Sequence, residues 1–211
     1  MSNSPVRAYD CALLAAVLAV LAWSGTAPFD RFTWVLEIFP AVIGLAVLAA
    51  TWKRFRFTDL ALTLIALHMI LLCVGGKYTY ARVPLGEWVK DSLHLARNHY
   101  DRFGHFAQGL VPAIIARELL IRLRVVARRG WLPFLVISIC LAISASYELV
   151  EWVVALSSRE AADSFLGTQG DPWDTQEDMA TAIAGAVAAL VLFSGWHDRQ
   201  IRVLENAAQS A

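Results

Sequence analysis

The sequence predicts an all-α fold: a bundle of six transmembrane helices forming a single integral membrane domain over residues 1–211. Three observations carry this. Hydrophobic residues make up 58% of the chain and charged residues only 17%, against about 25% charged in an average soluble domain. The apolar residues come in runs long enough to cross a hydrocarbon core of about 30 Å, which takes roughly 20 helical residues. Tryptophans mark the ends of those runs, where an amphipathic ring favours the membrane interface.

The spans fall at about 9–25, 33–52, 58–76, 103–123, 131–156 and 177–196. Helix satisfies every backbone group without water, so it is the form expected for each. The first run follows Arg7 and ends at Trp23; with further spans behind it, it reads as an uncleaved span rather than a signal peptide. Trp34 and Trp52 bracket the second, where Glu37 is expected to be hydrated near the span end. The third holds His68 at its middle, expected to hydrogen bond to a neighbouring helix. Gly75-Gly76-Lys77 then begins a connection to residue 102 with room for an interfacial helix around Leu85–Arg97. Lys77 there is either a counter-charge at a pocket mouth or an interfacial anchor.

In the fourth span Glu118 and Arg122 lie four apart on one face and are expected to pair, while Arg117 is expected to snorkel. The fifth runs between Trp131 and Trp152, and the connection after it, about 157–176, is acidic and rich in Gly, Ser and Thr. The sixth carries Ala182, Gly185, Ala186 and Ala189, small residues at a spacing that allows close helix contact in lipid. Cys11, Cys73 and Cys140 each sit inside an apolar run with no paired spacing, and read as small buried hydrophobes.

Net charge is zero and the basic residues form no nucleic-acid-binding surface, so the expected partner is the lipid bilayer. Orientation follows from basic residues in short loops. With both termini cytoplasmic, the inside holds ten (Arg7, Lys53, Arg54, Arg56, Arg122, Arg124, Arg128, Arg129, Arg199, Arg202). The outside holds seven (Arg31, Lys77, Arg82, Lys90, Arg97, Arg102, Arg159). The dense groups at 53–56 and 122–129 share one side, and the reading is that both termini are cytoplasmic.

Ionisable residues at membrane depth cost roughly 2.5–3.5 kcal/mol on insertion scales, so each needs a reason. Asp101 and His105 open the fourth span, Glu148 and Glu151 lie near the end of the fifth, and Asp174 and Asp178 open the sixth, with Asp171 nearby. Alternating crossings put these three helix ends on one side, the external one. Each pair is three or four residues apart, hence on one helix face. Five carboxylates and one imidazole can therefore share a pocket, and so many like charges cannot all ionise without a cation, shared protons or water.

Three chemistries suit such a pocket. A divalent cation such as Mg, Mn, Zn or Fe is one, with His105, Glu148, Glu151, Asp174 and Asp178 as ligands. His105 oriented by Asp101 as general base, with Glu148 as acid, is the second. Ion or proton movement is the third. The structural alternative is that Asp101, Asp174 and Asp178 cap helix N-termini.

Four stretches carry a likeness to known sequences: Gly76–Leu85 (GKYTYARVPL), Arg97–Phe106 (RNHYDRFGHF), Ser146–Trp152 (SYELVEW) and Gly167–Gln176 (GTQGDPWDTQ). Across roughly residues 30–196 the chain resembles the YjdF family of bacterial inner-membrane proteins. That resemblance implies a multi-pass inner-membrane protein without an assigned activity, and supplies no catalytic residues. Asp101 and His105, Glu148, and Asp178 with Gly185 also follow the outline of VanZ-like membrane proteins. The final-helix Asn of that outline is replaced, with Thr181 and Ala182 in its neighbourhood. Three functions remain in view: a pocket that binds a divalent cation or acts on a lipid or envelope precursor; a small ion-coupled transporter; and a non-catalytic membrane scaffold.

Overall fold

The computed structural model describes residues 6–157 and 169–209. Arg159, counted above in an external loop, and Gly167 and Thr168 of the fourth matched stretch lie outside the described residues. The helices are α1 (Ala8–Ser24), α2 (Arg31–Thr51), α3 (Asp59–Tyr78), α4 (Pro84–Leu93), α5 (Tyr100–Arg122), α6 (Leu132–Ser157) and α7 (Asp174–Gln209). A single 3-10 turn at Arg129–Trp131 leads into α6.

Each of the six apolar runs is a helix. Among the described residues, four helical stretches are long and apolar enough to cross a membrane: Arg31–Thr51, Asp59–Tyr78, Arg129–Leu156 and Asp174–Ala207. The other two differ for physical reasons. α1 is only 17 residues long. α5 has 23 residues, enough for roughly 35 Å, but carries Asp101, Arg102, Arg117, Glu118 and Arg122. It lies at the centre of the bundle, so its polar groups face other helices. α4 is the short helix expected in the third connection, and its Leu85, Trp88 and Leu93 are exposed, as an interfacial helix requires. α7 runs 36 residues, roughly 54 Å, and ends well past the 196 expected.

The helix starts follow local chemistry. The Asp30 carboxylate accepts from the Thr33 N–H at 2.7 Å, and the Thr58 hydroxyl accepts from the Ala61 N–H at 3.3 Å. Packing departs from the pattern of a soluble bundle in that large apolar side chains cover the outside as well as the core. Fully buried alanines (Ala61, Ala113, Ala182, Ala186, Ala189) lie among larger buried side chains such as Leu60, Ile65 and Ile114, while Leu18, Phe39, Val47, Leu67, Phe134 and Val191 face outward. Helices gain nothing by burying Leu away from lipid tails, so close backbone approach is what holds them together.

That approach is tightest between α5 and α7. A Cβ on Gly109 would stand 1.8 Å from the Ala182 carbonyl oxygen, and one on Gly185 would stand 2.0 Å from that of Phe106. The small-residue stripe read from the sequence is therefore one half of this crossing. Gly109→Val is expected to lower stability by more than the roughly 1–3 kcal/mol of ordinary overpacking, because the obstacle is backbone; a denaturation midpoint measured in detergent checks this.

Buried ion pairs clamp the end of the bundle near Glu118. Glu118, fully buried, accepts from the Thr58 N–H and hydroxyl, from Arg122 at 2.6 Å and from His197 at 3.0 Å. Arg117 does not snorkel as expected; it is buried, with Nη1 3.2 Å from His197 Nδ1 and Nη2 2.6 Å from Asp198. The overlong α7 is the reason, since its extension brings His197 and Asp198 beside α5. Arg56 ties α1 to α3 through Asp10 at 2.6 Å and Asp59 at 2.8 Å. Arg122 also donates to the Arg56 carbonyl at 2.7 Å, so the basic groups at 53–56 and 122–129 share one end of the bundle.

Four expectations need correction or refinement. Glu37 is buried, not hydrated, because Tyr147 of α6 reaches across to it. His68 Nε2 is buried without a hydrogen-bond partner, where a neighbouring helix was expected to supply one. Lys77 anchors rather than neutralises: its ammonium donates to the Thr26 carbonyl and lies 4.8 Å over the Trp23 ring. Cys73 and Cys140 are buried, but Cys11 is exposed on the outer face of α1.

Candidate functional site: an acid and histidine cluster

The cluster forms where α5 and α7 begin, beside the last third of α6. A polar frame positions it. Thr79 and Tyr80 both take positive φ, 56° and 37°, and turn the chain sharply after α3. The Tyr80 ring then enters between α3 and α5, where only glycine leaves room: Cβ atoms on Gly75 and Gly104 would stand 2.3 and 3.0 Å from it. Burial and the nearby Glu37 raise the Tyr80 phenol well above its ordinary pKa, so it remains a hydrogen-bond donor to the Glu37 carboxylate.

Asn98, fully buried, holds the loop before α5. Its amide donates to the carbonyls of Ala81 and Val83, both at 3.2 Å, and to Glu87 at 3.0 Å; its Oδ1 accepts from the Tyr100 N–H at 3.0 Å. Lys90 and Asn98 together hold the Glu87 carboxyl below its usual range. Gln169 brackets the Asn98 backbone, accepting from its N–H at 3.0 Å and donating to its carbonyl at 2.9 Å. Asn98→Leu strands several buried partners at about 1–3 kcal/mol each. The expected result is a loss of at least about 3 kcal/mol, seen as a lowered thermal midpoint.

Two arginines, read from the sequence only as external loop charges, organise the acids. Arg102 binds Asp178 at 2.9 Å, Asp174 at 3.0 Å, Asp171 at 3.1 Å and Glu177 at 2.7 Å. Arg97 binds Asp174 at 2.5 Å and Asp171 at 3.3 Å. Burial alone would lower the Arg97 pKa, but the bond to Asp174 and the fields of Asp101 and Asp178 carry it upward, securing its charge. Asp171 also accepts from the Trp173 N–H at 2.9 Å, covering the α7 N-terminus. Asp174, considered as a cap, instead serves the arginines.

Inside this frame stands His105, buried, one turn beyond Asp101. Its Nε2 lies 3.7 Å from Asp101 Oδ1, 3.7 Å from Glu148 Oε1 and 3.9 Å from Asp178 Oδ2. None of these is a hydrogen bond, which needs roughly 2.7–3.2 Å. Ligand atoms of Asp101, His105 and Asp178 all lie within 4.8 Å of one another. Asp178 gives Oδ1 to Arg102 and turns Oδ2 inward; Asp101 sets Oδ2 4.0 Å from Arg97 and turns Oδ1 inward. Glu148 Oε1 and His105 Nδ1 are buried with no hydrogen-bond partner.

Of the six residues singled out from the sequence, the fold thus gathers ligand atoms of Asp101, His105 and Asp178 within 4.8 Å of one another, and Glu148 reaches the same imidazole from α6 at 3.7 Å. Glu151 is buried a turn beyond Glu148, and Asp174 is turned toward the arginines. Glu37 with its tyrosines, Arg97 and Arg102 were missed. The signal for the arginines was their spacing: Arg97 with Asp101 and Arg102 with His105 flank the same helix start.

The model of the family described as a predicted membrane protein, DUF2238, matches residues 9–199. Inner membrane protein YjdF of Escherichia coli (strain K12) is 50% identical over 183 residues, covering 87% of this chain and 88% of that protein. No solved structure matches. The chain is thus a multi-pass membrane protein that belongs to the DUF2238 family and is a relative of YjdF.

Proposed function

We propose that this is a six-span inner-membrane protein, a single domain with both termini cytoplasmic, whose Asp101, His105, Glu148 and Asp178 bind a divalent cation at the external end of the bundle. α1 and α5 supply the two spans beyond the four long apolar ones. Shared placement of the two dense basic groups at the Glu118 end supports that end as cytoplasmic. The relative's description as an inner membrane protein supports the compartment.

The observation that carries the cation reading is that His105 Nε2 stands 3.7–3.9 Å from one carboxylate oxygen each of Asp101, Glu148 and Asp178. Ligands about 2.0–2.2 Å from an ion stand roughly 3–4 Å from one another, too far apart to bond directly and too close to leave unmatched. Charge points the same way. Asp101, Glu148, Glu151 and Asp178, all buried or nearly so, together with Asp171 and Asp174 set six carboxyl groups against the guanidiniums of Arg97 and Arg102 and one imidazole. One imidazole with carboxylate oxygens suits Mg, Mn, Zn or Fe. Such an ion would polarise an ester or phosphoryl oxygen, or activate water, at the membrane surface. Its substrate in this reading is a lipid or envelope precursor.

An ion-coupled carrier would need a polar path toward the Glu118 end. Val111, Ala113 and Ile114 are buried on α5 in that interval, which favours a site over a path. The test is elemental analysis and anomalous scattering on purified protein, with titration of Mg, Mn, Zn and Fe(II). An ion between α5, α6 and α7 supports the reading; no saturable binding of any of the four overturns it.

A further inference from the structure

A second feature lies on the lipid side of the same cluster. α2 packs extensively only on α3, and α6 packs on α5 and α7, so α2 and α6 face each other across a gap. The gap is a groove of about 1250 Å³, larger than the roughly 300–1,000 Å³ of ordinary small-molecule sites. Its walls are hydrocarbon almost throughout. On α2 it runs from Val35 to Thr51, roughly 24 Å along the helix, which exceeds the ~15 Å of one leaflet's hydrocarbon.

Of the four polar side chains in the wall, Thr51 and Ser146 return their hydroxyls to their own helix backbone, which leaves two that bear on an occupant. Tyr147 lines the upper groove, and its hydroxyl donates to the buried Glu37 at 3.2 Å, bridging α6 to α2. The next residue, Glu148, faces His105 in the cluster. Lower down, the buried and unpartnered Nε2 of His68 also belongs to a residue of the lining. An apolar channel between α2 and α6 that is bordered by Tyr147, the residue that bonds Glu37 and precedes Glu148, and that holds one unsatisfied imidazole nitrogen suits an occupant that is mostly chain and carries oxygen.

We infer that the groove seats an acyl chain of an ester-linked bilayer lipid, entering sideways between α2 and α6 with its polar end at Tyr147 and Glu37. This names the substrate class for the cluster and rests on the cation reading only for the role of the polar end. Glu37 and Tyr147 then form the threshold between chain and site.

The test uses full-length protein in vesicles of phosphatidylethanolamine and phosphatidylglycerol. A trace of phosphatidylethanolamine carries a mid-chain diazirine, and labelled peptides are mapped by mass spectrometry after illumination. Labelling is expected to concentrate several-fold on the 35–51 and 139–150 walls over the outer positions Val191 and Leu192. Ala142→Trp, which fills the groove, should remove that excess and leave Mn binding unchanged, while Val191→Trp should change neither. Asp178→Asn should do the reverse of Ala142→Trp, losing Mn but keeping the label, so failure of the chain site and failure of the cation site are separately visible. Uniform labelling around the bundle overturns the inference. So does a disulfide-linked dimer formed by Ala142→Cys in a Cys11→Ser background, which would assign the groove to a second copy.

Discussion

Asp178→Asn is expected to weaken Mn binding by more than about 100-fold while the protein stays folded, since even residues one shell out from a metal are worth roughly 10–100-fold. The substitution keeps the shape of the side chain and the Oδ1 available to Arg102. It replaces the inward Oδ2, 3.9 Å from His105 Nε2, with an amide that is a poor metal ligand or turns its hydrogens inward. Glu148→Gln is the companion variant, because Glu148 Oε1 has no hydrogen-bond partner to lose. Isothermal titration and Mn spin resonance read the binding; circular dichroism and a thermal midpoint read the fold. If both variants bind Mn like the parent, the cation reading is wrong. If both unfold, the cluster is scaffold, and Asp101, His105, Glu148 and Asp178 are structural polar pairs.

Glu118→Ala has the largest expected effect on stability, a loss of about 3–5 kcal/mol, the usual consequence of removing one partner from a buried ion pair. Glu118 is fully buried and gathers Thr58 of the α3 N-terminus, Arg122 of its own helix and His197 of α7. Its removal leaves a guanidinium, an imidazole and a backbone N–H facing one another without an acceptor. Glu118→Gln keeps one acceptor oxygen and should lose less. Denaturant titration in mixed micelles orders the three proteins. An alanine variant as stable as the parent would mean that water reaches this end of the bundle and replaces the carboxylate. The same variant should leave Mn binding unaltered, because Val111, Ala113 and Ile114 separate Glu118 from His105.

Several features of this molecule follow from local composition. Six helices lie where the apolar runs lie, because a hydrocarbon environment leaves the backbone no other way to satisfy itself. The Ala182–Ala189 stripe meets α5, because small residues are what allow backbones to touch. That Asp101, His105, Glu148 and Asp178 share one end follows from alternating crossings, and their shared faces follow from spacing by three and four.

Contact across helices is another matter. Glu37 and Tyr147 are 110 positions apart, and nothing near either predicts that Tyr147 will bury Glu37. Arg97 and Arg102 reach acids more than 65 positions away, so their role as the frame of the cluster depends on how α5 and α7 rotate against each other. Arg117 looked like a snorkelling residue until α7 proved long enough to carry His197 and Asp198 past it. Hydrophobic runs and residue spacing determine which segments become helices and which side chains share a face. Which faces meet is set by the rotation and depth of each packed pair, a sum over many weak contacts that no single stretch contains.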